Sequence, residues 1–232
     1  MAQQLALPGF DLKAPPAHNL FFAVLPDRAA AGHARLLARS LHAELGSGGR
    51  PQMPACLHLS LLGLRIATLP RSRLVAALSE AAAGIALAPF DLALDRVMTF
   101  RGEPGRLPVV LCGGGGAAAL SSLHSTLAAQ LERLGLAQRR RSRFTPHLTL
   151  LHADRPIPQR AVPAIAWRVG ELVLIHGHGR PYRHEVLGRW PLGDDSAQAG
   201  AGITSQSSGG RAAKARSVEP RTMPATSSGA VW

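Results

Sequence analysis

Apolar residues fall into short runs and helical stripes that follow one another along the chain. Residues 20–25 (LFFAVL) form an apolar run of strand length and read as a buried strand. Pro26-Asp27 then opens a helix with Asp27 as its N-cap, and Leu37, Leu41 and Leu45 recur at steps of four along one stripe. A glycine-rich break at 46–49 leads to a strand at 57–62. The order then returns: a strand at 109–112, a break at 113–116, a helix over 117–134 and a strand at 147–151. The second helix carries Leu120, Leu123, Leu127, Leu131 and Leu134 at steps of three and four. Leu20 to His58 spans 38 positions, and so does Val109 to His147. Residues 90–97 alternate, with Phe90, Leu92 and Leu94 on one face, and 171–176 with 184–190 read as a terminal hairpin. The expected fold is α+β and bilobal, with two pseudo-equivalent lobes.

Each repeat ends in a strand that opens with histidine: His58-Leu59-Ser60-Leu61 and His147-Leu148-Thr149-Leu150. Alternate side chains of a strand share a face, so His58 and Ser60 point one way and Leu59 and Leu61 the other. His147 and Thr149 do the same in the second repeat. If the lobes pack about a pseudo-twofold axis, the two polar faces meet across a cleft. Two imidazoles flanking a phosphate serve as general acid and general base near neutral pH. Hydroxyls on the same faces donate to nonbridging phosphate oxygens. One such tetrapeptide arises often by chance; two copies at equivalent places in a repeat are far more telling.

Composition sharpens this picture. The 232 residues carry 26 basic and 14 acidic side chains, a net charge of +12, and all but two of the basic residues, Lys13 and Lys214, are arginine. Such a balance favours polyanions, and the guanidinium fork suits phosphate, although an Arg- and Ala-rich composition also follows from a GC-rich genome. Residues 194–232 are rich in Ser, Gly, Ala and Thr without apolar periodicity and read as a disordered tail. Residues 1–17 read as loosely ordered, which leaves 18–193 as the folded domain. No run of about 18 apolar residues predicts a membrane span. The start lacks the pattern of a secretory signal, and two cysteines, Cys56 and Cys112, exclude a disulfide scaffold. A cytoplasmic monomer is expected.

The double H-x-[ST]-x motif in a bilobal α+β chain resembles the 2H phosphoesterase superfamily. It is most similar to the RNA 2′,3′-cyclic phosphodiesterases, also called 2′-5′ RNA ligase-like proteins. The resemblance runs from about Asn19 to Leu192. It is carried by residues 20–26, by residues 57–63, by Arg143-Phe144-Thr145-Pro146-His147-Leu148-Thr149-Leu150, and by residues 171–175 leading to Tyr182 and Glu185-Val186-Leu187. It implies two antiparallel sheets with packed helices and an active-site cleft between the lobes. The implied reaction is hydrolysis of a 2′,3′-cyclic phosphate at an RNA 3′ end, or of a cyclic nucleotide, to a 2′-phosphate without metal or other cofactor. Joining or cleaving 2′-5′ linked RNA is a related reaction at the same site. By the resemblance His58 is the acid that protonates O3′, His147 is the base that activates water, and Ser60 and Thr149 bind the phosphate; the near symmetry of the sequence allows the two proton-transfer roles to be exchanged. Two positions depart from the family pattern: Ser60 replaces threonine, and His152 stands where members often carry arginine five residues after the second histidine. Arg143 and Arg155 are candidates for the missing charge.

Other residues carry weaker readings. The run 139–143 (RRRSR) is a candidate guide for an RNA backbone. Phe22 and Phe144 are candidates to stack a terminal base, with core packing the stronger reading for Phe22. Cys56 is expected on the face of His58. Residues 113–116 lack the Lys-Ser/Thr of a phosphate-binding loop and read as a plain connection. His176, His178 and His184 allow a metal-dependent hydrolase, and an RNA- or nucleotide-binding module without useful turnover is the remaining alternative.

Overall fold

A computed structural model describes residues 18–66, 71–136, 144–178 and 183–193. The two expected terminal segments, the basic run 139–143 and Tyr182 lie outside the described residues. Nine strands and three α-helices occur among them in the order β1 (His18–Val24), α1 (Arg28–Leu45), β2 (Gly49–Pro51), β3 (Leu59–Ile66), α2 (Arg71–Ala83), β4 (Phe90–Thr99), β5 (Leu107–Cys112), α3 (Ala117–Arg133), β6 (His147–Ala153), β7 (Arg160–Val169), β8 (Glu171–His178) and β9 (Arg183–Pro191). Short 3₁₀ turns flank β2.

The strands form two antiparallel sheets. One has the order β3-β1-β8-β9 and the other β2-β6-β5-β4-β7. The fold is therefore α+β with two antiparallel sheets, as expected, but the sheets are not successive halves of the chain. β2 and β4, from the first half, join the five-stranded sheet, and the final hairpin β8–β9 returns to pair with β1. The helices cross over as well. α1, which links β1 to β3, packs on β2, β6 and β7 of the opposite sheet; α3, which links β5 to β6, reaches across to β3 and to α2 as well as touching β4.

Local sequence explains most elements. Asp27 caps α1 by accepting a hydrogen bond from the Ala30 N–H at 2.8 Å. The stripe of α1 buries Leu41 and Leu45, with Ala30, Ala34 and Ala38 filling the closer approach to the sheet, while Leu37 is half-buried. α3 buries the predicted Leu120, Leu123, Leu127 and Leu131. The break at 113–116 is explained by close packing. Gly114 and Gly116 adopt φ of +73° and +83°, and a Cβ at either would fall on the β4 backbone, at the carbonyl oxygens of Ala93 and Asp91 respectively. The Ala93 N–H donates to the Gly115 carbonyl at 3.0 Å, which fastens the turn to β4.

Candidate functional site

β3 and β6, the strands that carry the two motifs, approach one another where the sheets meet. Each histidine sits at the mouth of its strand in the same local geometry. His58 places Nδ1 2.7 Å from the carbonyl oxygen of Cys56, two residues back, and His147 places Nδ1 2.7 Å from that of Thr145, also two residues back. A carbonyl only accepts, so Nδ1 carries the proton in both rings and Nε2 is the free base. In His58 this Nε2 lies 3.0 Å from Ser60 Oγ, whose hydroxyl donates to it. Both imidazoles are half-buried.

The strands share a second feature. Opposite β1, the register of β3 skips Leu61: Phe22 faces Leu62 and Ala23 faces Ser60. Opposite β5, β6 skips Leu150: Val109 faces Leu151 and Val110 faces Thr149. Each motif thus carries a β-bulge at the residue just after its hydroxyl. The bulge shifts the alternation by one. His147, Thr149 and His152 are the half-buried residues of β6, while Leu148, Leu150, Leu151 and Ala153 are buried. Strict alternation would have sent His152 to the opposite face; the bulge brings it back to that of His147 and Thr149. The equivalent position in β3 is Gly63, where an added Cβ would meet nothing within 4 Å.

Burial holds the His58 imidazole below the ordinary histidine range; the bond to the Cys56 carbonyl opposes this, and the charge of His147 adds to it. Burial also lowers His152, and the Arg106 guanidinium pushes the same way.

Aromatic rings flank both histidines. Phe21 meets His58 at 4.9 Å between ring centroids, and Phe100 meets His147 at 4.8 Å. Phe21 lies with Ala23, Val173 and Ile175 in a small apolar cluster separate from the main core. His184 stands edge-on to His58 at 4.8 Å and to Phe21 at 5.3 Å, and burial together with the neighbouring His58 takes its imidazole down to about 4.

Several expected residues sit elsewhere. Phe22 is fully buried in the main core against Trp190, so it cannot stack a base; its neighbour Phe21 takes the site-facing position by simple alternation. Phe144 lies flat against His124 of α3, centroids 4.2 Å apart. Arg155 is exposed in the bend after β6, and Arg143 lies outside the described residues. Cys56 is not on the strand but in the 3₁₀ turn before it, where burial raises its thiol and its carbonyl serves His58. The metal reading of His176, His178 and His184 fails as drawn. His184 pairs with Gly177 and touches Phe21 and His58, whereas His176 and His178 turn to Glu185. Phe21, Phe100 and Arg106 were missed by sequence reasoning, and His184 was weighed only as a metal ligand; of the three missed, only Phe21 had a signal, its phase against Leu20, Phe22 and Val24.

The family model of the 2′-5′ RNA ligase superfamily matches residues 25–181, well over half of the chain. The chain belongs to this superfamily. Members of the 2′-5′ RNA ligase superfamily are 2H phosphoesterases, and solved structures agree with the assignment. A structure described as a phosphoesterase is 29% identical, with a TM-score of 0.61, over 76% of this chain and 99% of its own. LigT of E. coli, solved with 3′-AMP, is 28% identical, with a TM-score of 0.61, over 76% of this chain and 98% of its own. A Thermus thermophilus protein, TT0787, at 24% identity and a TM-score of 0.60 over 75% of this chain and 97% of its own, shares the fold. The comparison with curated proteins gave no match.

Proposed function

We propose that this 2H phosphoesterase hydrolyses 2′,3′-cyclic phosphates at RNA 3′ ends by a metal-independent reaction between its two histidines. The observation that carries the reading is the matched pair of imidazoles, each with Nδ1–H tied to a carbonyl two residues back and Nε2 left as the working nitrogen. E. coli LigT, 28% identical to this chain, was solved with 3′-AMP, which supports a nucleotide as ligand.

In this reading His147 Nε2 takes a proton from water as the oxygen attacks phosphorus. The bound cyclic phosphate anion favours the imidazolium form of His58; as the P–O3′ bond breaks, that imidazolium delivers its Nε2 proton to O3′. The product is a 2′-phosphate with a free 3′-hydroxyl; one water is consumed, His147 ends protonated and His58 neutral, and exchange with solvent resets both. The Ser60 hydroxyl turns from His58 to a nonbridging oxygen, and the Thr149 hydroxyl holds another. Joining of 2′-5′ linked RNA is the related reaction at the same phosphorus. Phe21 and Phe100 shield the two imidazoles from water on one side and sharpen their interaction with the phosphate.

The test is an oligonucleotide ending in a 2′,3′-cyclic phosphate, incubated with the protein in EDTA, with the product identified. A 2′-phosphate end supports the reading. Intact substrate that stays tightly bound would show a binding module instead.

Removing one hydroxyl at a time tests the phosphate contacts. Ser60→Ala and Thr149→Val should each lower kcat by about 10²-fold, the scale of a lost oxyanion donor. Changes under threefold in steady-state kinetics would take those hydroxyls out of the transition state.

The lowered His58 imidazole has a signed consequence. It is neutral at pH 7 in the resting protein, because its affinity for a proton lies below the usual value near 6.5. A bound phosphate anion favours the imidazolium, so the NMR titration midpoint of His58 should rise when inorganic phosphate is added. His147→Ala should also raise it, since the repelling charge is gone. A midpoint that stays put under both changes would contradict the proposed coupling.

A further inference from the structure

We propose that His176, His178 and Glu185 form a binding site for a divalent metal of the zinc class, separate from the two-histidine site. The three residues are placed by sheet geometry. His176 and His178 are two apart on β8 and so share a face, and Glu185 on β9 lies directly opposite His176 in the register. Their donor atoms all lie within 4.8 Å of one another. Glu185 Oε2 stands 3.0 Å from His178 Nε2 and 3.5 Å from His176 Nδ1. Ligands bound 2.0–2.1 Å from a tetrahedral ion stand about 3.3 Å apart, so both separations already match a zinc shell. His176 Nδ1 is shut off from solvent, and its contact with this carboxylate is beyond good hydrogen-bond length. Two imidazole nitrogens and one carboxylate oxygen are a donor set that selects zinc-class ions over magnesium or calcium, with a fourth position for water.

The site is on the other side of the sheet from the proposed chemistry. His176 pairs with Leu20, which faces the main core, whereas Phe21 and Ile175 face His58 and His184. Arg71, at the start of α2, holds the same Glu185 oxygen at 3.3 Å. Its side chain is 42% exposed and free to swing into water, so it steadies the carboxylate until a metal takes its place. A metal here would clamp β8 to β9 behind His184.

The test titrates zinc into the full-length chain, stripped with EDTA and dialysed, against a chromogenic chelator, with thermal melts in parallel. One equivalent should bind and Tm should rise with zinc concentration. His176→Ala and His178→Ala should each weaken binding by more than the 10–100-fold that loss of an outer-shell partner causes, while His58→Ala and His147→Ala retain it. Cobalt(II) bound to the unaltered chain should give the visible bands of a tetrahedral nitrogen–oxygen site, a readout that needs no variant to fold. Absence of binding would mean an ordinary ion-pair cluster and overturn the proposal. So would binding that survives His176→Ala and His178→Ala combined, or binding lost in His58→Ala, which would place the metal between the proposed catalytic histidines.

Discussion

His58→Ala and His147→Ala should each cut turnover of a cyclic-phosphate-ended oligonucleotide by about 10²–10⁴-fold. The reason is chemical rather than structural. Without His147 no side chain at the expected place takes the proton from water, and without His58 the departing O3′ leaves as an alkoxide. The double variant should be little worse than either single one, because the two groups act in one step and their effects do not add. Folding should survive. Each ring makes one bond to a backbone carbonyl at a half-buried position, worth about 0.5–1.5 kcal/mol. Circular dichroism and melting curves check that part, and rates in EDTA check the rest. Wild-type rates in either variant would sink the two-histidine mechanism.

Gly114→Ala should be among the most damaging small changes in the described residues. The residue has φ of +73°, which an L side chain adopts at a cost of about 1–2 kcal/mol, and its Cβ would run into the Ala93 carbonyl. The obstacle is backbone on a paired strand and cannot rotate away, which adds roughly 1–3 kcal/mol. Together these predict a loss of roughly 2–5 kcal/mol and a fall in Tm of roughly 4–20 °C for a domain of this size. Gly115, one residue on, has no neighbour within 4 Å of an added Cβ and no positive φ. Gly115→Ala should therefore leave stability within about 0.5 kcal/mol. The contrast separates a packed turn from a phosphate cradle, which would show as altered ligand binding in both variants. Equal melting temperatures for the two would refute the packing account.

The features written in local periodicity were legible in the sequence. The stripes of α1 and α3, the Asp27 cap and the alternation over residues 58–61 and 147–150 follow from spacing and side-chain chemistry, and each is present. α2 was not anticipated, since its buried face is made largely of Leu74, Leu78, Ala81 and Ala82 within an alanine-rich run of low contrast. β2 is a three-residue strand at the end of the glycine break and exists through pairing with β6. β7 shows burial on alternate residues only over its second half and carries Pro163, which masked it. At the site, the histidines and hydroxyls were readable because motif and strand period coincide. Phe100 and His184 were not, because what brings them there is sheet order, and no local pattern encodes which strands pair. The bulges at Leu61 and Leu150 were equally hidden: an extra residue in a strand leaves no mark in a run of leucines.

The crossing of α1 and α3 onto opposite sheets, with the last hairpin closing the first sheet, bears on how the protein emerges from the ribosome. A nascent chain that has released β1, α1 and β3 holds a helix whose docking surface on β6 and β7 has not yet been made. Strand β1 likewise waits for β8, about 150 residues later, before its second edge is covered. Folding is thus deferred until β8 and β9 have been made, in keeping with the slow closure of long-range pairings. A gene cut between the two repeats would encode two fragments that each lack part of their own sheet. Mixed together, those fragments should complement one another, since each carries the pieces the other is missing.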